Sequence, residues 1–374
     1  MGCAYTPGLS VAASTIVRRR RRLPLKGRVL VRVGQNVRAE DVVAATELPG
    51  DIRSVNVAQQ LGISADELAD VMLKHEGDPV GKDEPLARTQ GLFGWFKSEC
   101  RCPIDGTIES ASAATGQVII RGRPIPLEKT AYIEGAVVDV QEAESATIET
   151  HAAFVQGVFG LGGEAVGQLE AAVDSPDDAL EADGLGPQHA GKILLGGSLL
   201  TAAAIRAASR HGVRGIVAAG LNDTDVRDIL GYELGVAITG EETLGVTVVI
   251  TEGFGRIPMA GATFELLRAH DGARASINGA TQIRAGVIRP EVIVPLPGSS
   301  SGAEPDPQTR GVLEIGTQLR AIREPYFGRL GRCVGLPVEL TELASGTRTR
   351  VLEVEFDDGT RAALPRANVE LITA

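Results

Sequence analysis

CPIDGTIESASAATGQVI, residues 102–119, decides how the N-terminal third of this chain is read. Apolar and polar residues alternate through it, and a glycine marks the turn, which is the pattern of short half-buried strands. Related phrases recur along the chain. GRVLVRVGQNVRAEDVVA (27–44) puts Val29, Val31 and Val33 on one face and breaks at Gly34, and GDPVGKDEPLA (77–87) and EGAVVDV (134–140) repeat the alternation. Between the first two lies SADELADVMLK (64–74), where Ser64 and Glu67 have capping-box spacing and Leu68, Val71 and Met72 form one apolar stripe. The pattern predicts a β-module with one short inserted helix.

The phrases G-x-V-x-V-x-x-G-x-x-V and P-x-D-G-T-I-x-S-x-S-x-x-T-G-Q-V resemble the hammerhead repeats of biotinyl/lipoyl-type barrel-sandwich hybrids. An N-terminal domain found in the ion-pumping ferredoxin:NAD oxidoreductases is similar. The resemblance covers roughly residues 25–140. It implies a fold that carries biotin or lipoate on a lysine in some relatives and is a plain scaffold in others. A carrier lysine sits in Met-Lys-Met or Asp-Lys-Ala, and neither tripeptide occurs here. Lys74, in VMLKHEG, is the nearest candidate, but a lysine at a helix C-terminus is already explained by the helix dipole. Lys82 and Lys97 have no supporting context, so no biotin, lipoate or other cofactor is expected.

The 374 residues suffice for two or three cores. A formal net charge of −11 gives the whole molecule no attraction to nucleic acid or anionic membrane. The Arg18–Arg22 run supplies +5, which leaves −11 − 5 = −16 on the remainder. Residues 1–24 show no clear periodicity and are expected to be a flexible basic arm that binds acidic surfaces, the protein's own included. LPLKGRVLVRV, after the arginines, is not a signal-peptide core. MGCAYT matches the short N-myristoylation pattern, which matters only in a host with the transferase. No apolar run nears the roughly 18 residues of a transmembrane helix. The four cysteines form no disulfide framework, and Cys100-x-Cys102 has no histidine nearby in sequence to make a metal site. A cytoplasmic protein is expected, with no metal and no membrane contact.

Residues 149–297 change period. KILLGG, RGIVAAG and VTVVITEGFG read as strands that are apolar on both faces, and they alternate with the helices TAAAIRAASRHG, DTDVRDILG and PMAGATFELLRAHDG, the last starting at Pro258. ARASINGATQIRAGVIRPEVIVPL closes the region with one or two strands. Such alternation predicts an α/β domain on a mostly parallel sheet. PLPGSSSGAEPDPQ reads as a linker, placed at 298–310, and 311–374 returns to β-pattern. Its FGRLGRCVGL and LPRANVELI resemble a KOW/SH3-like barrel. Such barrels often touch RNA or protein, but eight arginines, no lysine and nine acidic residues here leave little drive toward nucleic acid. The whole reads as a multidomain α/β plus β chain: basic arm 1–24, barrel-sandwich hybrid 25–148, central mostly parallel α/β domain 149–297, linker, and C-terminal SH3-like barrel 311–374. Together the parts resemble a type of bacterial multidomain protein.

GxGxxA occurs at Gly160–Ala165, but the next strand, KILLGG, ends in Gly-Gly-Ser rather than an acidic residue. A dinucleotide site therefore fails its context, and a glycine-rich inter-domain turn is expected. Ligands in open α/β sheets sit beyond the carboxyl ends of the strands. That places an anion-binding pocket at Gly196, Gly197, Ser198, Asp223, Glu252, Gly253, Gly255, Gly279, Thr281 and Arg284, with Asp223 and Glu252 the only candidate acid/base pair. HExxH and Walker A motifs are absent, and the five histidines are scattered. The leading expectation is a non-catalytic accessory or scaffold protein that senses a small anionic metabolite in the α/β domain and docks a protein partner through its β-modules. An enzyme acting on a small anion at the α/β rim is the alternative, and an RNA-associated KOW protein is the third reading.

Overall fold

The computed structural model describes residues 10–89, 98–231, 240, 242, 244–281, 288–296, 313–321, 325–326, 329–337, 339–342, 348–356 and 358–371. Over these residues the protein is mostly β, with several sheets, the largest a mixed sheet of 13 strands. That sheet is built from Val11–Arg22 (β1), Gly135–Gln141 (β2), Ser145–Gln156 (β3), Phe159–Leu161 (β4), Glu164–Ala171 (β5), Lys192–Leu195 (β6), Gly215–Leu221 (β7), Thr247–Phe254 (β8), Arg274–Asn278 (β9) and Glu291–Pro295 (β10), with shorter pieces. Its order is β4-β8-β7-β6-β5-β9-β10-β3-β2, and β1 pairs with β3 alone.

Only the run β5-β6-β7-β8, with two short flanking pieces, is parallel, whereas β9, β10, β3 and β2 join antiparallel. The expected mostly parallel sheet is thus a mixed one. Helices Ala202–Arg210 (α1) and Asp223–Leu230 (α2) connect the parallel strands, and Gly261–Arg268 (α3) carries the chain back across to β9. Successive residues of one strand serve opposite faces. Leu194, Ile216, Ala218, Val248 and Ile250 pack with Ala204, Ile205 and Val226 under α1 and α2. Ile193, Leu195, Val217 and Val249 pack with Phe264 and Leu267 under α3. Cover on both faces is why these strands are apolar throughout. α3 starts at Gly261, not at the expected Pro258, because the segment before it is extended over the strand ends.

Within residues 1–24, expected as a flexible basic arm, Val11–Arg22 instead forms a 12-residue strand. Strand alternation turns Arg19 and Arg21 inward. Arg19 Nε donates to Glu291 Oε1 at 2.7 Å, and Arg21 donates to both Glu164 oxygens at 2.6 Å and to the Thr130 carbonyl at 2.7 Å. Arg18 pairs with Glu149 on the exposed side, and Arg20 reaches Ser145 and Gln141. The arginine run thus ties β1 to the protein's own carboxylates. β3 runs unbroken through the expected boundary at 148/149, so the two regions share a sheet.

Residues 106–112 and 117–119 of the opening stretch do form paired antiparallel strands, the second continuing to Gly122, in a four-stranded sheet with Ile52–Asn56 and Pro79–Val80. Gly116 makes the turn between them at φ +67, a region only glycine enters freely. A three-stranded sheet of 28–29, 42–48 and 125–130 lies alongside. The helix expected over 64–74 is a 3₁₀ turn, Ala65–Glu67, that runs into one helical turn, Leu68–Val71, and a separate short helix, Val57–Leu61, precedes it. Glu67 Oε2 does accept the Ser64 N–H, at 3.0 Å. Residues 298–310, expected as the linker, lie outside the described residues. The tail forms a six-stranded antiparallel sheet that includes Gln318–Ala321 (β11), Leu330–Gly335 (β12), Arg348–Phe356 (β13) and Arg361–Pro365 (β14). Leu319, Cys333, Leu352, Val354 and Phe356 form its core. Among the described residues no helix is long and apolar enough to cross a membrane, and no group of three or more His, Cys, Asp or Glu residues could hold a metal.

Candidate ligand cavity at the module junction

The expected rim site is divided by the strand directions. The parallel strands β6, β7 and β8 bring Gly196–Ser198, Asn222–Asp223 and Glu252–Gly255 to one edge, as their registers show. β9 is antiparallel to β5, with Asn278 opposite Glu164, so Gly279 and Thr281 lie at the other edge. There Gly279 N–H donates to the Gly163 carbonyl and Thr281 Oγ1 donates to the Gly279 carbonyl. Arg284 lies outside the described residues. The GxGxxA segment is a strand–turn–strand connection, β4 into β5, with Gly162 at φ +74. It is a turn within the large sheet and lacks the helix that a dinucleotide site requires.

At the first edge the protein's own chain fills the space. Ser198 is 1% exposed; its N–H donates to the Asp178 carbonyl at 2.7 Å and its Oγ to the Asp177 carbonyl at 2.6 Å. A Cβ on Gly197 would stand 2.4 Å from the Asp178 carbonyl oxygen, so the contact admits only glycine. Ile257 N–H donates to Ser198 O and Met259 N–H to Pro176 O, which lays residues 255–259 over the same edge. Asp223 is exposed and paired with Arg227 across one helical turn. Asp223 and Glu252 do not form an acid/base pair, because each carboxylate is held by a different arginine.

The partner of Glu252 is Arg320, from β11 of the C-terminal sheet. Arg320 Nη1 donates to Glu252 Oε2 at 2.7 Å and to the carbonyls of Thr251 and Glu252 at 2.9 and 3.1 Å. The two residues are 2% and 6% exposed. Glu252 Oε1 also accepts the Ala260 N–H, at 3.2 Å, just before α3. The ladder slips between Ala218 and Gly220 opposite β8, and such a bulge re-aims a side chain. One buried carboxylate therefore joins the end of β8, the start of α3 and the C-terminal sheet.

Beside this junction is a cavity of about 350 Å³. One wall is the first turn of α3 with Leu266 a turn further on, and a second is Leu330–Arg332 and Gln318 of the C-terminal sheet. Val11 and Ala13 of β1 close a third side. Here β1 slips in register between Ala12 and Thr15, which turns Ala13 and Ser14 out of strict alternation. Ser14 Oγ lies 2.7 Å from His151 Nε2 on the exposed side of the same bulge. The walls are mainly small or apolar, and the size falls in the range of small-molecule sites. A wider opening of about 510 Å³ between Arg22–Pro24, Leu127 and Lys129 is a broad surface depression without walls of this kind.

Sequence reading missed the cavity because its walls come from three distant places: residues 11 and 13, residues 260–263 and 266, and residues 318 and 330–332. Two local signals pointed to it. Ala-Gly-Ala-Thr, 260–263, opens a helix with no capping side chain, and Arg320 is a lone cation in the apolar strand QLRA. Lys74, the nearest carrier-lysine candidate, forms a 2.7 Å ion pair with Glu84, and that hydrogen bond raises its pKa. Cys100, Cys102 and Cys333 are free and buried, and burial pushes each thiol pKa up, away from the reactive thiolate. No protein-family model and no curated protein sequence matches this chain.

Proposed function

We propose that this protein is a non-catalytic binding or accessory protein of the cytoplasm that holds a small ligand in the junction cavity. Its β-modules would then be docking surfaces for a protein partner. The observation that carries this reading is the cavity itself: three chain segments meet around it beside the buried Glu252–Arg320 pair. Occupancy would thereby couple to the seating of the C-terminal sheet on the α/β layer. The rim reading, as metabolite site or as enzyme active site, loses support, since Ser198 and Glu252 are consumed by internal contacts. In this proposal the N-terminal module is a barrel-sandwich hybrid used as scaffold, without biotin or lipoate, and the C-terminal sheet is an SH3-like barrel. The free thiols of Cys100, Cys102 and Cys333 accord with a reducing compartment.

Native mass spectrometry of protein purified from its own host tests the reading. Gly261 lines the cavity, and a Cβ there meets nothing within 4 Å, so Gly261→Leu fills the space without backbone strain. The expected result is a retained small molecule that the variant lacks. The same species on both proteins, or none on either, overturns the cavity reading, and an added cofactor mass on a lysine overturns the scaffold reading of the N-terminal module.

A further inference from the structure

If the junction cavity holds a small molecule, as proposed above, its walls restrict what that molecule is. The first amides of a helix have no partner within the helix. In α3 the first N–H to find one is that of Phe264, which donates to the Ala260 carbonyl at 3.0 Å. Ala260, at the N-cap, has no side chain to cap the amides of Gly261, Ala262 and Thr263, which lie in the cavity wall. Thr263 gives a second, independent sign. It lines the cavity and is 4% exposed, yet its hydroxyl has no protein hydrogen-bond partner among the described residues. What little of this side chain is exposed includes that hydroxyl, which is therefore open to a ligand. Leu266, three residues on, is on the same side of α3 and continues the wall, while Phe264 and Leu267 face the sheet.

The charges nearby favour a single negative one. Glu252 is the carboxylate at this helix start, and Arg320 and the Ala260 N–H already engage it. Arg332 at the wall is exposed and adds a positive charge at the edge. A dianion such as a phosphate monoester would meet more repulsion from Glu252 than a carboxylate would. The remaining walls, Val11, Ala13, Leu266 and Leu330, are apolar. We propose that the cavity binds a small monocarboxylate with an apolar tail. Its carboxylate accepts from the Gly261–Thr263 amides and the Thr263 hydroxyl, and its tail lies against Leu266 and Leu330.

Isothermal titration of the full chain with octanoate, 1-octanol and octyl phosphate tests this. Octanoate is expected to bind at least tenfold more tightly than either analogue. Thr263→Val should weaken it about tenfold or more, the usual effect of losing a hydrogen bond to a charged group. Gly261→Leu should abolish binding, as should Ala13→Leu from the opposite wall, and an unchanged circular dichroism spectrum shows that each variant is folded. If octanol or octyl phosphate binds as well as octanoate, and both filling variants abolish it, the cavity stands and the monocarboxylate assignment is overturned. If none of the three binds, or octanoate binds the filling variants as it does the parent, the cavity reading falls as well.

Discussion

Replacing Arg320 with methionine should be among the most damaging single changes in this protein. Methionine keeps the unbranched apolar stem but removes three hydrogen bonds from Nη1 and leaves Glu252, 6% exposed, without its cation. Breaking a buried ion pair from one side costs about 3–5 kcal/mol, because the remaining charge stays buried. Arg320→Met should lower the urea midpoint accordingly at unchanged slope. Glu252→Gln strands the guanidinium instead but keeps an acceptor for the Ala260 N–H, so it should cost about 2–4 kcal/mol. The double variant strands neither charge. It leaves two carbonyls short of a donor, for about 1–3 kcal/mol, well below the sum of the single changes. Equilibrium urea denaturation of all four proteins gives the coupling energy directly. A loss within about 0.5 kcal/mol for Arg320→Met, the range of ordinary surface changes, or strictly additive single costs, would refute a buried latch at this junction.

Three further outcomes test the frame around it. Arg21, with a 9% exposed side chain, grips Glu164, and Arg18 is half exposed, so Arg21→Ala should cost about 2–3 kcal/mol and Arg18→Ala at most about 1. Equal losses in denaturant would mean that β1 is not held by inward arginines. Gly220→Ala would put a Cβ 2.0 Å from the Gly255 carbonyl oxygen and 2.8 Å from that of Ser198, both backbone, and should destabilise by about 3 kcal/mol; a midpoint unchanged from the parent contradicts this packing. Burial first, and the Glu291 charge second, hold the Tyr132 hydroxyl pKa well above 10 in the folded state. The unfolded chain therefore releases this proton first, so stability is full below pH about 10 and declines as pH rises beyond it. Tyr132→Phe should flatten that decline in stability measured between pH 9 and 11, and an equally steep fall in the variant would show that Tyr132 is not its source.

The parts of the fold that were legible are those whose signal is local. Burial on both faces leaves KILL, GIVAAGL and TVVITEGF largely apolar, and they are strands as read. Strand direction carries no such mark. Nothing in RASIN shows that β9 runs against β5, and that one reversal sends Gly279 and Thr281 to the opposite edge from Ser198. The arginine run misled because its partners are remote: Glu291 is 272 residues from Arg19 and Glu164 is 143 from Arg21. Charge in sequence reads as solvation until the carboxylates that neutralise it are placed. The cavity was the least legible feature, since small residues such as Ala13 and Gly261 mark a void only when the opposite wall is known.

A crystal structure of the full chain with octanoate tests the central claim most directly. The account predicts ligand density between α3, β1 and β12, with the carboxylate at the Gly261–Thr263 amides, the tail over Leu266 and Leu330, and the Glu252–Arg320 pair intact beside it. A cavity closed by the protein's own side chains, or octanoate bound at the 196–198 strand ends instead, would contradict it.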